Sequence, residues 1–203
     1  ALSILSKNPK GFFLFVEGSK VDWAAHANDP VGVVSDVLAF DAAVKVALDY
    51  AKKDKNTLVL AFADHCTGGM TIGNAQTNRG YDKLKLSQVI DPLKKAKLTG
   101  EGIEKLLNSD KSNIVEVMNS QYGVSDLTPK EIEAIKTAKA GSLNYVVGPI
   151  ISKRAAIGWT TTGHNGEEVF LYAYGPGKPV GLIDNTDIAK VIDRDMVLNL
   201  SAA

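Results

Sequence analysis

The chain has 203 residues but one cysteine, Cys66, and three histidines, His26, His65 and His164. A single cysteine excludes an internal disulfide framework and leaves the redox compartment open. Long hydrophobic runs are also lacking: nothing approaches the ~20 apolar residues of a membrane-spanning helix, so no span is expected. Charge of one sign is not in excess either, with 23 Lys and Arg against 23 Asp and Glu. A nucleic-acid or anionic-membrane partner usually needs a basic surplus, so neither is expected. Residues 1–7 lack the basic, apolar and cleavage regions of a signal peptide. They read as the last turns of an amphipathic helix, as if the chain began mid-protein. The length still suffices for a sizeable core, in one large domain or two small ones.

What is present is concentrated around those few imidazoles. His26 follows Asp22 by four residues in Asp22-Trp23-Ala24-Ala25-His26. His65 follows Asp64 at the end of the apolar run Leu58-Val59-Leu60-Ala61-Phe62-Ala63. His164 lies in Thr162-Gly163-His164-Asn165-Gly166. Each imidazole sits among metal-ligand residue types, and the three together read as a metal site. Taken singly, each has a bland explanation. An Asp-x-x-x-His pair is commonly a surface pair, Asp-His after a strand can be a cap beside a structural histidine, and a histidine in a Gly-rich loop is usually solvated.

The layout predicts where these residues meet. Phe12-Phe13-Leu14-Phe15-Val16 is a continuous apolar run suited to a strand buried on both faces. A helix over 33–53 should bury Val37, Phe40, Val44, Leu48 and Ala51, spaced three or four apart, as one stripe. A second buried strand over 57–63 completes a strand-helix-strand unit. Such units build parallel sheets, with ligands gathered beyond the carboxyl ends of the strands. Glu17 and the Asp64-His65 pair fall at those ends. Residues 73–158 differ in character, richer in Lys, Asn, Ser and Gly, and read as a mostly helical insert over the sheet. Within them, Thr128-Pro129-Lys130-Glu131 is a capping box with proline in the first turn. The sheet resumes at 169–174, and Asn185-Thr186-Asp187 caps a closing helix. The expected organisation is therefore a sheet core over 1–72, an insert over 73–158, and a return to the core over 159–203.

Zinc takes imidazole nitrogen and carboxylate oxygen, and a catalytic zinc leaves a position open. Asp22 and His26 share a face if a helical turn forms there. Asp64 and His65 can turn toward one cleft at a strand end, and His164 can approach from the far side. Glu17 offers a hard oxygen suited to magnesium. Two zinc ions close together suit the attacking and leaving oxygens of phosphoryl transfer. Cys66 reads as a small buried thiol rather than a ligand. The Gly68-Gly69 and Gly175-Pro176-Gly177 runs read as turns, not phosphate loops.

Three segments carry a family resemblance. Glu17-Gly18-Ser19-Lys20-Val21-Asp22-Trp23-Ala24-Ala25-His26 resembles a metal-binding segment of the alkaline phosphatases. Ala63-Asp64-His65-Cys66-Thr67-Gly68-Gly69 is similar to their next one, and Thr162-Gly163-His164-Asn165-Gly166-Glu167-Glu168 to their last. The resemblance implies an α/β fold, a three-layer sandwich with a mainly parallel central sheet. Here it would be partial, with the N-terminal half absent, and 73–158 would be a crown-like insert. It further implies that Asp22, His26 and His164 bind a first zinc, Asp64 and His65 a second, and Glu17 a magnesium ion. Trp23 would line the phosphate pocket. The implied activity is hydrolysis of phosphate monoesters at alkaline pH through a serine nucleophile. That serine, in an Asp-Ser-Ala type motif of the family's N-terminal half, is not found here, and only 16 residues precede Glu17. No catalytic residue is therefore assigned within this chain. The expected partners are the phosphate ester, the missing half and, by resemblance, a second copy in a homodimer. The isolated chain is expected to be inactive, with an exposed sheet edge. A periplasmic or secreted location is implied by the family alone. Other readings are a phosphodiesterase, sulfatase or cofactor-independent phosphoglycerate mutase of the same superfamily, or a non-catalytic zinc-binding fragment.

Overall fold

A computed structural model describes residues 1–198 of the chain. The last five residues of the expected 159–203 segment lie outside the described residues. After a short helix α1 (Leu2–Leu5), turns over 6–11 and a run without regular structure lead to α2 (Ser19–His26) and the long α3 (Pro30–Asp54). Short strands β1 (Val59–Phe62), β2 (Cys66–Thr67) and β3 (Thr71–Ile72) follow. Next come the helices α4 (Leu86–Lys95), α5 (Gly100–Glu104), α6 (Ile114–Tyr122), α7 (Pro129–Thr137) and α8 (Asn144–Arg154). Strands β4 (Ile157–Gly158), β5 (His164–Asn165) and β6 (Leu171–Tyr174) return, and α9 (Asn185–Met196) closes the described chain.

The strand pairing differs from the expected parallel sheet. Among the described residues β1 pairs β6, β2 pairs β5 and β3 pairs β4, and every pair is antiparallel. Residues 12–16 form no strand and join no ladder, and Phe15 is 72% exposed. A strand needs a partner backbone for its N–H and C=O groups, and the described residues offer this run none. It lies along α3 instead, with Phe12 edge-on to Tyr50 at 6.1 Å between ring centroids. Helix α3 forms as its periodicity predicts, three residues earlier than expected at Pro30. Its stripe is another correction: Val37 is exposed, Phe40, Val44 and Leu48 are half-buried, and only Ala51 is fully covered. Periodicity identifies the apolar face of a helix, but a second layer must be present to bury it.

The well-packed core lies in the helical segment. Ile103, Ile114, Val117, Met118, Tyr122, Ile135, Leu143, Val147 and Ile151 form one buried cluster from α5 through α8, joined by Val31 of α3. Truncating a residue such as Ile151 to alanine would cost about 2–5 kcal/mol. The Thr128 capping box forms as its sequence predicts: Thr128 Oγ1 accepts from the Glu131 amide, and the Glu131 carboxylate accepts from the Thr128 amide.

Asp29 fastens this helical segment to the α2–α3 pair. It caps α3, accepting from the Val31 and Gly32 amides at 3.0 and 3.2 Å, and also from Gly100 N–H and Tyr122 O–H. It is only 2% exposed, and burial pushes its carboxyl pKa up against these four hydrogen bonds. A second tie runs through Ser152, whose hydroxyl donates to Asn28 O at 2.9 Å and accepts from Trp159 Nε1 at 2.8 Å. Helix α8 comes this close because position 148 is glycine; a Cβ there would meet Ala27 O at 2.5 Å.

Candidate metal centre

Helix α2 supplies the first two donors. Asp22 and His26 are one turn apart on one face, as their spacing predicts, and His26 Nε2 lies 3.5 Å from Asp22 Oδ2. The helix is pressed onto α3, where Gly32 leaves room for Ala24; a Cβ at Gly32 would meet Ala24 Cβ at 2.7 Å. The third donor arrives through the β2–β5 ladder. Its register sets Thr67 opposite His164 and brings His164 Nε2 to 4.0 Å from Asp22 Oδ1. One ligand atom each from Asp22, His26 and His164 lies within 4.8 Å of the others. That distance lets one ion reach all three.

The loop before β5 is packed tightly against this point. Gly68 donates to Gly163 O and accepts from the Thr160 amide, both at 2.9 Å. Its φ is +78°, and a Cβ would meet the Trp159 ring at 2.7 Å and Ala25 O at 2.9 Å. Only glycine fits there. The same loop presents Thr162 O to His26 Nδ1 at 2.5 Å. A carbonyl accepts only, so Nδ1 carries a proton, and in the neutral ring Nε2 is the nitrogen that turns a lone pair toward Asp22. A lone pair facing a carboxylate is repulsive unless a proton or a metal cation stands between them. The donor set, two imidazole nitrogens and a carboxylate, fits a divalent metal.

Asp64 and His65 stand beside this cluster. His65 stacks on His164 with ring centroids 3.6 Å apart. Its Nε2 is 3.3 Å from Asp64 Oδ2, although the Asp64 side chain is 85% exposed. This pair forms a second, more open pairing of donors, but no second group of three forms among the described residues. Glu17 is exposed at the end of the 12–16 run and is not in the cluster. Trp23 projects from α2 and is 54% exposed, with Lys20 Nζ 3.8 Å from its ring centroid. Cys66 Sγ donates to Glu167 Oε2 at 3.2 Å, and burial followed by the Glu167 contact pushes the thiol pKa up. It is held as a neutral thiol, but it is half-buried rather than the buried thiol the sequence suggests.

Sequence reasoning missed two groups that hold the donors. One is the Thr162 carbonyl, a backbone group with no sequence signal. The other is the Thr67 hydroxyl, which donates to Asp22 Oδ1 at 2.6 Å and lies 3.1 Å from His65 Nδ1. The only available clue was its place in the Asp64-His65-Cys66-Thr67 run.

Known proteins resemble the chain over nearly its whole length. The alkaline phosphatase family profile matches residues 1–198. Alkaline phosphatase 4 of Bacillus subtilis (strain 168) is 44% identical over 199 residues, covering 95% of this chain and 41% of that protein. The crystal structure of Thermus thermophilus alkaline phosphatase superposes with a TM-score of 0.86 at 26% identity, over 98% of this chain and 46% of that one. A mutant alkaline phosphatase from the Antarctic bacterium TAB5, with Mg bound in its M3 site, is 25% identical with a TM-score of 0.54, over 97% of this chain and 39% of that one. The chain thus spans less than half the length of these relatives. Its helices and short strands fit the α/β fold of those neighbours. By sequence over most of its length, and by fold, the chain belongs to the alkaline phosphatase family.

Proposed function

We propose that this chain is the metal-holding portion of a phosphomonoesterase that hydrolyses phosphate monoesters at alkaline pH. The observation that carries the proposal is the convergence of Asp22, His26 and His164 on one point. In this reading these three residues hold a first zinc ion, Asp64 and His65 contribute to a second, and Glu17 serves a magnesium ion. A magnesium ion in such a centre is in keeping with the TAB5 mutant, which holds Mg in its M3 site. When bound, the metals supply Lewis acidity, stabilising the charge that develops on the attacking and leaving oxygens. The chain's own residues orient this centre. Thr162 O fixes the His26 tautomer, Thr67 steadies Asp22, and the β2–β5 ladder sets His164 across from them. Trp23, exposed on the same helix as Asp22, lines the substrate pocket.

The nucleophilic serine comes from a complementary polypeptide, whether continuous with this chain or separate. Supporting that are the coverage of relatives below one half and the apolar surface left open on 12–16 and on α3. Residues 73–158 act as the crown-like insert of such an enzyme, which would be exported and assemble as a homodimer. The test is an aryl-phosphate assay with zinc and magnesium in a host lacking its own phosphatases. The purified chain should bind zinc without turnover. Adding the separately expressed N-terminal portion of Bacillus subtilis alkaline phosphatase 4 should produce chelator-sensitive turnover. Turnover by the chain alone, or failure to bind zinc, would overturn the proposal.

A further inference from the structure

We propose that Thr67 is a positioning residue that locks the two donor sets of this centre into one geometry through its single hydroxyl. This role rests on the metal-holding reading of Asp22, His26 and His164. Asp22 Oδ1 can only accept, so at 2.6 Å the Thr67 hydroxyl proton points to it. That leaves Thr67 Oγ1 with lone pairs alone, and its 3.1 Å contact with His65 Nδ1 requires that nitrogen to carry the proton. In the neutral ring His65 Nε2 is then the bare nitrogen, and it is the atom that faces Asp64 Oδ2 at 3.3 Å. One side chain thus aims the Asp22 carboxylate toward His26 and His164 while selecting the metal-binding tautomer of His65.

The backbone gives Thr67 no latitude to do otherwise. It sits in β2, in register with His164, and is followed by Gly68, whose amide is bonded to Gly163 O. The hydroxyl is half-buried between α2 and the strand end, so solvent is a poor substitute for either partner. Outer partners of metal ligands typically change metal affinity about 10–100-fold when removed.

The experiment uses the full 203-residue chain. Zinc affinity is measured by chelator competition for the wild type, Thr67→Val and Thr67→Ser. In parallel, 15N shifts of the three imidazoles are read in the metal-free chain at alkaline pH. Thr67→Val keeps the side-chain shape and removes the hydroxyl; it should weaken zinc binding about 10-fold or more. Thr67→Ser should restore wild-type affinity. The wild-type His65 should show the proton on Nδ1, and Thr67→Val should release that preference. Equal affinity in all three chains would overturn the positioning role while leaving the metal site standing. So would a wild-type His65 protonated on Nε2, a result that does not depend on any variant folding. Absence of zinc binding by the wild type would overturn both readings.

Discussion

His164 reaches the centre from a strand far along the chain and stacks on His65, while Trp23 sits one residue from Asp22 but turns outward. Proximity in sequence and usefulness to a metal are therefore separable. His164→Ala should weaken zinc binding by about 10-fold or more, whereas Trp23→Ala should leave it near the wild-type value. Chelator competition on the two variants checks this, and equal affinities would count against the ligand assignment. The residues the sequence disclosed are those whose geometry is local or whose chemistry is rare. Asp22 and His26 needed only a helical turn, and His164 stood out because imidazoles are scarce here. Thr67 and Thr162 were illegible because their roles exist only once β2 and β5 are in register. Glu17 was legible as a hard oxygen at a strand end, yet the strand that would fix it has no partner among the described residues.

At the level of elements, local signals held where the chain itself supplies the counterpart. The Thr128 box opens α7, and its Glu131 is also gripped by α8. Arg154 Nη1 and Nη2 donate to Glu131 Oε1 and Oε2 at 2.8 and 3.0 Å, while Arg154 Nε donates to Asp126 at 2.7 Å. The guanidinium beside it lowers the Glu131 carboxyl pKa from an ordinary 4.5 to about 2. A depressed folded-state pKa means that the unfolded chain binds this proton more readily. The contribution to stability is therefore full above about 4.5 and fades as pH falls toward about 2. Glu131→Gln removes that titration, so its melting temperature should decline less steeply with acid across this window. Thermal melts of both proteins at a series of pH values would show it, and parallel curves would exclude the α7–α8 bridge as an acid-sensitive contact. The parallel strand-helix-strand unit, by contrast, was overread. An apolar run states that a segment avoids water, not which backbone will pair with it.

For the whole molecule, the distribution of packing is uneven, and this bears on how the chain behaves alone. The helical segment of α5 to α8 buries a continuous core, while Phe13, Phe15, Val16, Val37, Leu38 and Val46 stay open to solvent on the 12–16 run and α3. Exposed apolar surface, where contiguous, marks an interaction site or an aggregation liability. The 12–16 run, which joins no ladder among the described residues, adds backbone groups without strand partners there to the same region. The purified chain should therefore bind a hydrophobic dye and self-associate as its concentration rises. Leu38 is 65% exposed, so Leu38→Lys should alter fold stability by no more than about 0.5 kcal/mol. It should nevertheless lower self-association, with zinc binding at the α2 centre unchanged. If the proposed function holds, adding the N-terminal portion of Bacillus subtilis alkaline phosphatase 4 should suppress both dye binding and self-association of the wild-type chain. Sedimentation velocity with dye fluorescence separates the cases: a monomer at all concentrations, dark to the dye, would mean that this face is already covered within the chain.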